Sequence, residues 1–347
     1  MKSIIIQTID SFRKGKSIFL ILFAFVLLCL SGCDQKPNQT PGTSAPRQYR
    51  IGLGPWVGFG PLYLARDKGF FEEEGIKVEL IVLTGVAERN SALKAGRIDA
   101  LAAPVDYFVL AAGNNLPATI VMAIDESTGG DGIVAKKSVQ TIEDLSGKRV
   151  AVQRGLPGEF FLRALLQQKG VNFNELKTED METAQAGAAF LADKVDAAVV
   201  WEPWLSKARE EGGGHVLAST KEFPNLIVDC LAFNQDVLKR SPADVVKIVK
   251  AIFKAIEFWK ANAEEANKIM APYFQVDAKK YAMILSGATF SDLARNREYF
   301  GSPQLPGPIF DVARRASGVW LDAKVIGTPV KPSVVISTEI LNKRKLE

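Results

Sequence analysis

The sequence predicts an α/β fold built as two lobes, and three observations predict it. Beyond residue 48, strand-length apolar runs alternate with helix-length segments that close on glycine, as βα units do. The alternation comes as two similar series, with the polar, glycine-bearing stretch 125–131 between them. Composition is that of an ordinary globular chain, with 47% apolar and 24% charged residues. The roughly 300 residues past the N-terminal segment suit one large or two medium domains.

In the first series, 49–53 reads as a strand and 61–69 as a helix stopped by Gly69. The apolar run 78–83 is a second strand, followed by helix 86–95 ending at Gly96. Strand 99–102, helix 105–112 and strand 118–124 complete the series. The second series opens with strand 132–135. The turn at Asp144-Leu145-Ser146-Gly147-Lys148 leads into strand 149–152, and helix 159–169 stops at Gly170. Helix 183–192, strand 197–200, helix 204–211 and the apolar strand 227–233 come next. Cys230 reads as a buried residue of that last strand, not a reactive thiol. The remainder reads as helices over 242–262, 264–272, 278–285, 291–299 and 308–320. Pairing in both lobes is expected to be mainly parallel.

The N-terminal segment has a separate logic. Lys2, Arg13, Lys14 and Lys16 precede an apolar run over 17–30, which is shorter than the about 20 residues that span a bilayer. Leu30-Ser31-Gly32-Cys33 closes that run and resembles a bacterial lipobox. The resemblance implies a signal peptide over 1–32 and lipidation of Cys33, which would hold the chain at the outer face of the cell membrane. The other reading is an uncleaved anchor helix. Residues 33–48 are rich in Pro, Thr, Gly and Ser and read as a flexible tether. With Cys29 removed and Cys33 lipidated, Cys230 stands alone and no internal disulfide is possible. The net charge of +4 includes the signal segment and forms no basic stripe, so nucleic acid is not an expected partner.

Four segments carry a further resemblance. They are Gly58-Phe59-Gly60-Pro61-Leu62-Tyr63-Leu64-Ala65 followed by Lys68-Gly69-Phe70-Phe71; Ala95-Gly96-Arg97-Ile98-Asp99-Ala100; 144–152; and Val195-Asp196-Ala197-Ala198-Val199-Val200-Trp201-Glu202-Pro203-Trp204. Together they resemble the solute-binding proteins of the nitrate/sulfonate/taurine import group, which includes the thiamine-precursor (NMT1/THI5-like) binding proteins. The resemblance implies the two-lobed type II periplasmic-binding-protein fold with ligand in the cleft. Lobe one would comprise 49–132 plus 234–347 and lobe two 133–233. Crossover strands would lie near 131–135 and 229–234.

Candidate site residues sit where strands hand over to helices, the usual place for ligands in open α/β sheets. Trp56 and Phe59, after the first strand, are cleft walls or packing residues. Thr84 can donate to a ligand or cap the next helix. Asp106 can face the cleft or serve the helix dipole. Glu126 and Ser127 lie in the 125–131 loop, where Gly129-Gly130 suit a hinge; a solvated loop is the plain alternative. Glu159 and Phe160 open a lobe-two helix, whose N-terminus attracts anions. Relatives that import anions often have small hydroxylated residues there, so Glu159 argues against nitrate or a simple sulfonate, unless it points outward. Trp201 can stack on a ligand and Glu202 can accept from an amine. Asp229 joins them in the second crossover. With Asp125 added, acids outnumber the basic candidates Arg89 and Arg154, which points to a cationic, zwitterionic or hydrogen-bonding solute.

Enzyme signals are weak. Gly52 and Gly54 only hint at a dinucleotide fingerprint, which Pro55 interrupts. His215 is the single histidine and reads as part of a surface turn, and no His/Cys cluster suggests zinc. No cofactor is expected. The expected function is an extracytoplasmic solute-binding lipoprotein of an ABC importer, a monomer partnered by permease and ATPase subunits. Its solute would be a small polar organic molecule: an amino-sulfonate such as taurine, an amine or a pyrimidine-like compound. A pyrimidine-precursor-type enzyme or a ligand sensor on the same fold is the alternative.

Overall fold

The computed structural model describes residues 47–211, 213–343 and 346. The expected signal peptide, Cys33 and the tether up to residue 46 lie outside the described residues. Two sheets organise the rest. The first holds β1 (Arg47–Leu53), β2 (Ile76–Val82), β3 (Ala100–Pro104), β4 (Ala118–Ser127), β10 (Val228–Asn234) and β11 (Ala288–Phe290). Their order is β11-β4-β10-β3-β1-β2. The second holds β5 (Asp131–Ala135), β6 (Arg149–Val152), β7 (Lys177–Asp180), β8 (Ala197–Trp201) and β9 (His215–Ser219), in the order β7-β6-β8-β5-β9.

Helices flank both sheets. In lobe one, α1 (Gly60–Asp67), α2 (Val86–Lys94) and α3 (Val105–Gly113) alternate with the strands. Lobe two carries α4 (Pro157–Gln168), α5 (Thr183–Leu191) and α6 (Trp204–Glu211). The chain then returns to lobe one for α7 (Pro242–Ala261), α8 (Ala278–Leu285) and α9 (Ile309–Asp322). Proline occupies the first turns of α1, α4 and α7, where its missing N–H is no loss. Gly69 ends α1 in the left-handed region at φ 73°, which a side chain would oppose.

Several expectations are corrected. Pairing is mixed: β1–β2, β1–β3, β6–β7 and β6–β8 are parallel. The strands next to the lobe junction, β4, β5 and β10, run antiparallel to their neighbours. Residues 229–234 do not cross between lobes; as β10 they lie between β3 and β4 in the first sheet. Likewise 131–135 is β5, inside the second sheet. The chain therefore crosses at 128–130 and again between β9 and β10. Arg47 and Gln48 belong to β1, not to the tether. His215 begins an edge strand, not a turn. Strands β7, β9 and β11 escaped prediction because β7 is four polar residues, β9 opens on His215 and β11 has three residues.

The two crossings are bonded to each other. Ser127 Oγ and Thr220 Oγ1 are 2.8 Å apart, and Thr220 Oγ1 accepts from the Gly129 amide at 2.8 Å. The Gly287 carbonyl accepts from the amides of Thr128 and Gly130. Gly130 is tightly enclosed: a Cβ there would come within 2.4 Å of the Trp56 indole.

Every residue of β10 is buried. Its register against β4 slips between Asp229 and Cys230, so that Asp229 faces Asp125 while Cys230 faces Ala123. Past the end of β11, buried Asn296 stands in for a strand neighbour. Its Oδ1 accepts from the Ala123 amide at 2.8 Å, and its Nδ2 donates to the Ala123 and Ser291 carbonyls at 2.9 Å. Asn296→Ala should therefore lower unfolding free energy by about 2–4 kcal/mol, because backbone groups are left buried and unpaired. Urea titration measures this; a loss below about 0.5 kcal/mol would show that the edge of β4 at Ala123 does not depend on Asn296.

Candidate functional site

The strand ends and both crossings converge on one cavity. Gly54, Pro55 and Trp56 come directly after β1, Ala103 and Pro104 end β3, and Trp201 ends β8. Asp131 opens β5, Asp229 lies at the start of β10, and Leu156 and Pro157 open α4. Phe59, Ile227 and Arg89 complete the wall. The free space between these walls is about 30 Å³.

Acids dominate this place. Register explains why: Asp229 has Pro104 on one side and Asp125 on the other, and Asp131 lies opposite Trp201. Asp106, Asp125, Asp131 and Asp229 are all buried. Arg89 is the one cation among the described lining residues, and its Nε donates to the Leu83 carbonyl at 2.8 Å. Trp56 Nε1 donates to Asp125 Oδ1 at 3.0 Å, while Asp125 Oδ2 has no partner. Both carboxyl oxygens of Asp106 are also without a directed hydrogen bond, although its own N–H and that of Tyr107 lie close enough to favour ionisation slightly.

Burial is the chief influence on the protonation of these groups. It pushes the Asp106 pKa up to about 8, with the charge of Asp131 adding. It pushes Asp131 up to about 7, against a hydrogen bond from Ser127. Asp125 and Asp229 also rise, by burial first and then by repulsion from the other acids; Arg89 opposes the rise at Asp229. Burial likewise lowers the Arg89 pKa.

The candidates named from sequence divide. Trp56, Phe59, Trp201 and Asp229 line the cavity. Asp106 lies behind it, and its backbone carbonyl accepts from Trp320 Nε1 at 2.9 Å. Ser127 belongs to the junction between the crossings. Glu126 is not in a solvated loop; β4 buries it facing away from the cavity, where it accepts from the Asn225 amide and pairs with Arg295. Glu159 accepts from the Gly155 amide and pairs with Arg163 and Arg154, so its charge is answered within α4 and its lead-in. Phe160 is core, 6.0 Å from the Trp320 ring. Glu202 accepts from the Ser206 amide and hydroxyl, in the first turn of α6. Thr84 is exposed and donates to Glu182 Oε1 of lobe two at 3.2 Å. Asp131 was not among the named candidates. Its signal was position: it comes directly after Gly129-Gly130 and opens a strand.

The raised acids fix a pH dependence. A buried acid of the folded chain keeps a proton that the unfolded chain releases near pH 4. Its contribution favours folding below that point and is lost as pH rises toward 7 or 8. Asp106→Asn removes one such group without lining the cavity. The variant should match the parent in urea stability at pH 4.5 and exceed it at pH 8.5, by at least about 1 kcal/mol. Identical stability at both pH values would show that Asp106 is ionised in the folded chain.

Comparison with known proteins adds independent findings. The family model for NMT1/THI5-like proteins matches residues 56–266. A Brucella abortus (strain 2308) protein, provisionally named a binding protein, is 26% identical over 218 residues, covering 62% of this chain and 67% of that one. The alkanesulfonate-binding protein SsuA from Xanthomonas axonopodis pv. citri bound to MOPS shares the fold, with a TM-score of 0.72 and 18% identity. That match covers 85% of this chain and 99% of SsuA. The desulfurization enzyme DSZB shares it too, with a TM-score of 0.62 at 14% identity over 85% of this chain and 98% of that one, so the fold alone does not exclude catalysis. The chain belongs to the NMT1/THI5-like family and has the two-lobed fold of periplasmic binding proteins.

Proposed function

We propose that this chain is the solute-binding component of an ABC importer, held at the outer face of the cell membrane through Cys33. Its solute is a small polar organic molecule with a protonated amine or an equivalent cluster of donors, as in an amine, an amino-sulfonate or a pyrimidine-like base. The two lobes close on it by hinging at 128–130 and at the return crossing. One observation carries the reading: among the described lining residues two buried aspartates, Asp131 and Asp229, face a single cation, Arg89, with Asp125 and Asp106 buried behind them. A buried lining with more acids than cations supports a ligand that brings hydrogen-bond donors and positive charge. Arg89 beside them suits a zwitterion. Neither His215 nor Cys230 is in the cavity wall, which favours capture over catalysis. Membership of a family with binding-protein relatives supports the same reading.

Calorimetry and thermal shift on the purified protein test it. Amines, amidines and amino-sulfonates should include binders that raise the melting temperature, because they bind only the folded chain. Asp229→Asn should weaken such a binder by at least about thirtyfold, as expected when one member of a buried charge pair is lost. Tight binding of nitrate or of an alkyl sulfonate lacking an amine, with no response to any amine, would overturn the proposal.

A further inference from the structure

Adjoining the first cavity, termed inner, is a second, larger one, termed outer. Its free volume is about 630 Å³, and it shares Pro55 and Trp201 with the inner one. Its lobe-two wall is built on the first turns of α5 and α6, and its lobe-one wall on residues 273–280. The two volumes assign different parts of a solute. The inner 30 Å³ holds about two or three water-sized groups. That accommodates an ammonium or amidinium head, not a whole organic solute. The outer volume lies within the range of sites that hold entire small molecules.

The charges of the two cavities are opposite. The inner one has acids and Arg89. In the outer one, Lys207 is half-buried on α6, with no carboxylate within salt-bridge distance among the described residues. Its ammonium lies 4.7 Å from the centre of the Trp204 ring. That ring is itself fixed, because it packs on Gly187 of α5 so closely that a Cβ there would come within 2.5 Å. Trp204 therefore serves as a platform that keeps Lys207 on the cavity wall. The other charges in the wall are already engaged. Lys280 lies 3.7 Å from Glu210, and Asp277 caps α8 by accepting from the Lys280 amide.

We infer that the solute is elongated and dipolar: a cationic head in the inner cavity, a flat middle passing Trp201, and an acidic tail that reaches Lys207. This rests on the cationic-head reading above and adds the tail. The acidic group is a carboxylate, sulfonate or phosphate, and the length of the solute is set by the step between the two cavities.

Three ligands and two variants test the inference by calorimetry: benzylamine, 4-(aminomethyl)benzoate and methanesulfonate, with Lys207→Gln and Asp229→Asn. The carboxylate of 4-(aminomethyl)benzoate should make it bind at least about tenfold more tightly than benzylamine. Lys207→Gln should remove that advantage and leave benzylamine unchanged, Lys207→Arg should restore it, and Asp229→Asn should weaken both amines. Equal affinities for the two amines, or an advantage that survives Lys207→Gln, would overturn the acidic tail while leaving the cationic head intact. Failure of both amines, with or without binding of methanesulfonate, would overturn both readings.

Discussion

Removing a carboxyl group from water is unfavourable unless a cation or hydrogen-bond donors replace the lost solvation, and this chain does so repeatedly around one cleft. The placement is a consequence of backbone register. β10 returns from lobe two and inserts antiparallel between β3 and β4, with a slip that sets Asp229 opposite Asp125. Asp131 enters from the first crossing two residues after Gly129, and Asp106 lies at the start of α3 behind the wall. None of these acids can be withdrawn to solvent without undoing a strand or a helix start. The sheet therefore holds an electrostatic deficit at the same place where the two lobes meet.

That deficit ties fold to function. The crossings at 128–130 and before β10 are bonded to each other through Ser127 and Thr220, which suits the proposed rotation of the lobes about one locus. On the proposed function, a solute that brings positive charge lets these acids ionise on binding and so stabilises the closed arrangement. On that reading closure and recognition are one event, because both sheets contribute acids to the cavity wall: Asp131 from β5 and Asp229 from β10.

Much of this was legible in the sequence. The βα alternation, the glycine stops and the position of Trp56 and Trp201 after strands come from local pattern, which periodicity reports well. Of the acids expected in the cleft, Glu126, Glu159 and Glu202 do not line it. Glu159 has Arg163 one helical turn on, and Glu202 has Ser206 at the same spacing, so local partners already answer both. Those i+4 neighbours were readable in the chain. The insertion of β10 was not, since it depends on pairings across more than a hundred residues. The folding-back of Arg89 onto the end of β2 was hidden because nothing in its local pattern marks it.

On the proposed function, burial leaves these acids without an answering cation in the free protein, so that they stay protonated near neutral pH until a cationic head lets them ionise. Carbon-13 NMR of labelled aspartate carboxyls reads this directly, with Asp106→Asn and Asp131→Asn to assign the signals. Asp131 should titrate near about 7 and Asp106 near about 8. If every aspartate carboxyl of the ligand-free chain is fully ionised by pH 5, the cleft holds no unanswered acids and the account is wrong.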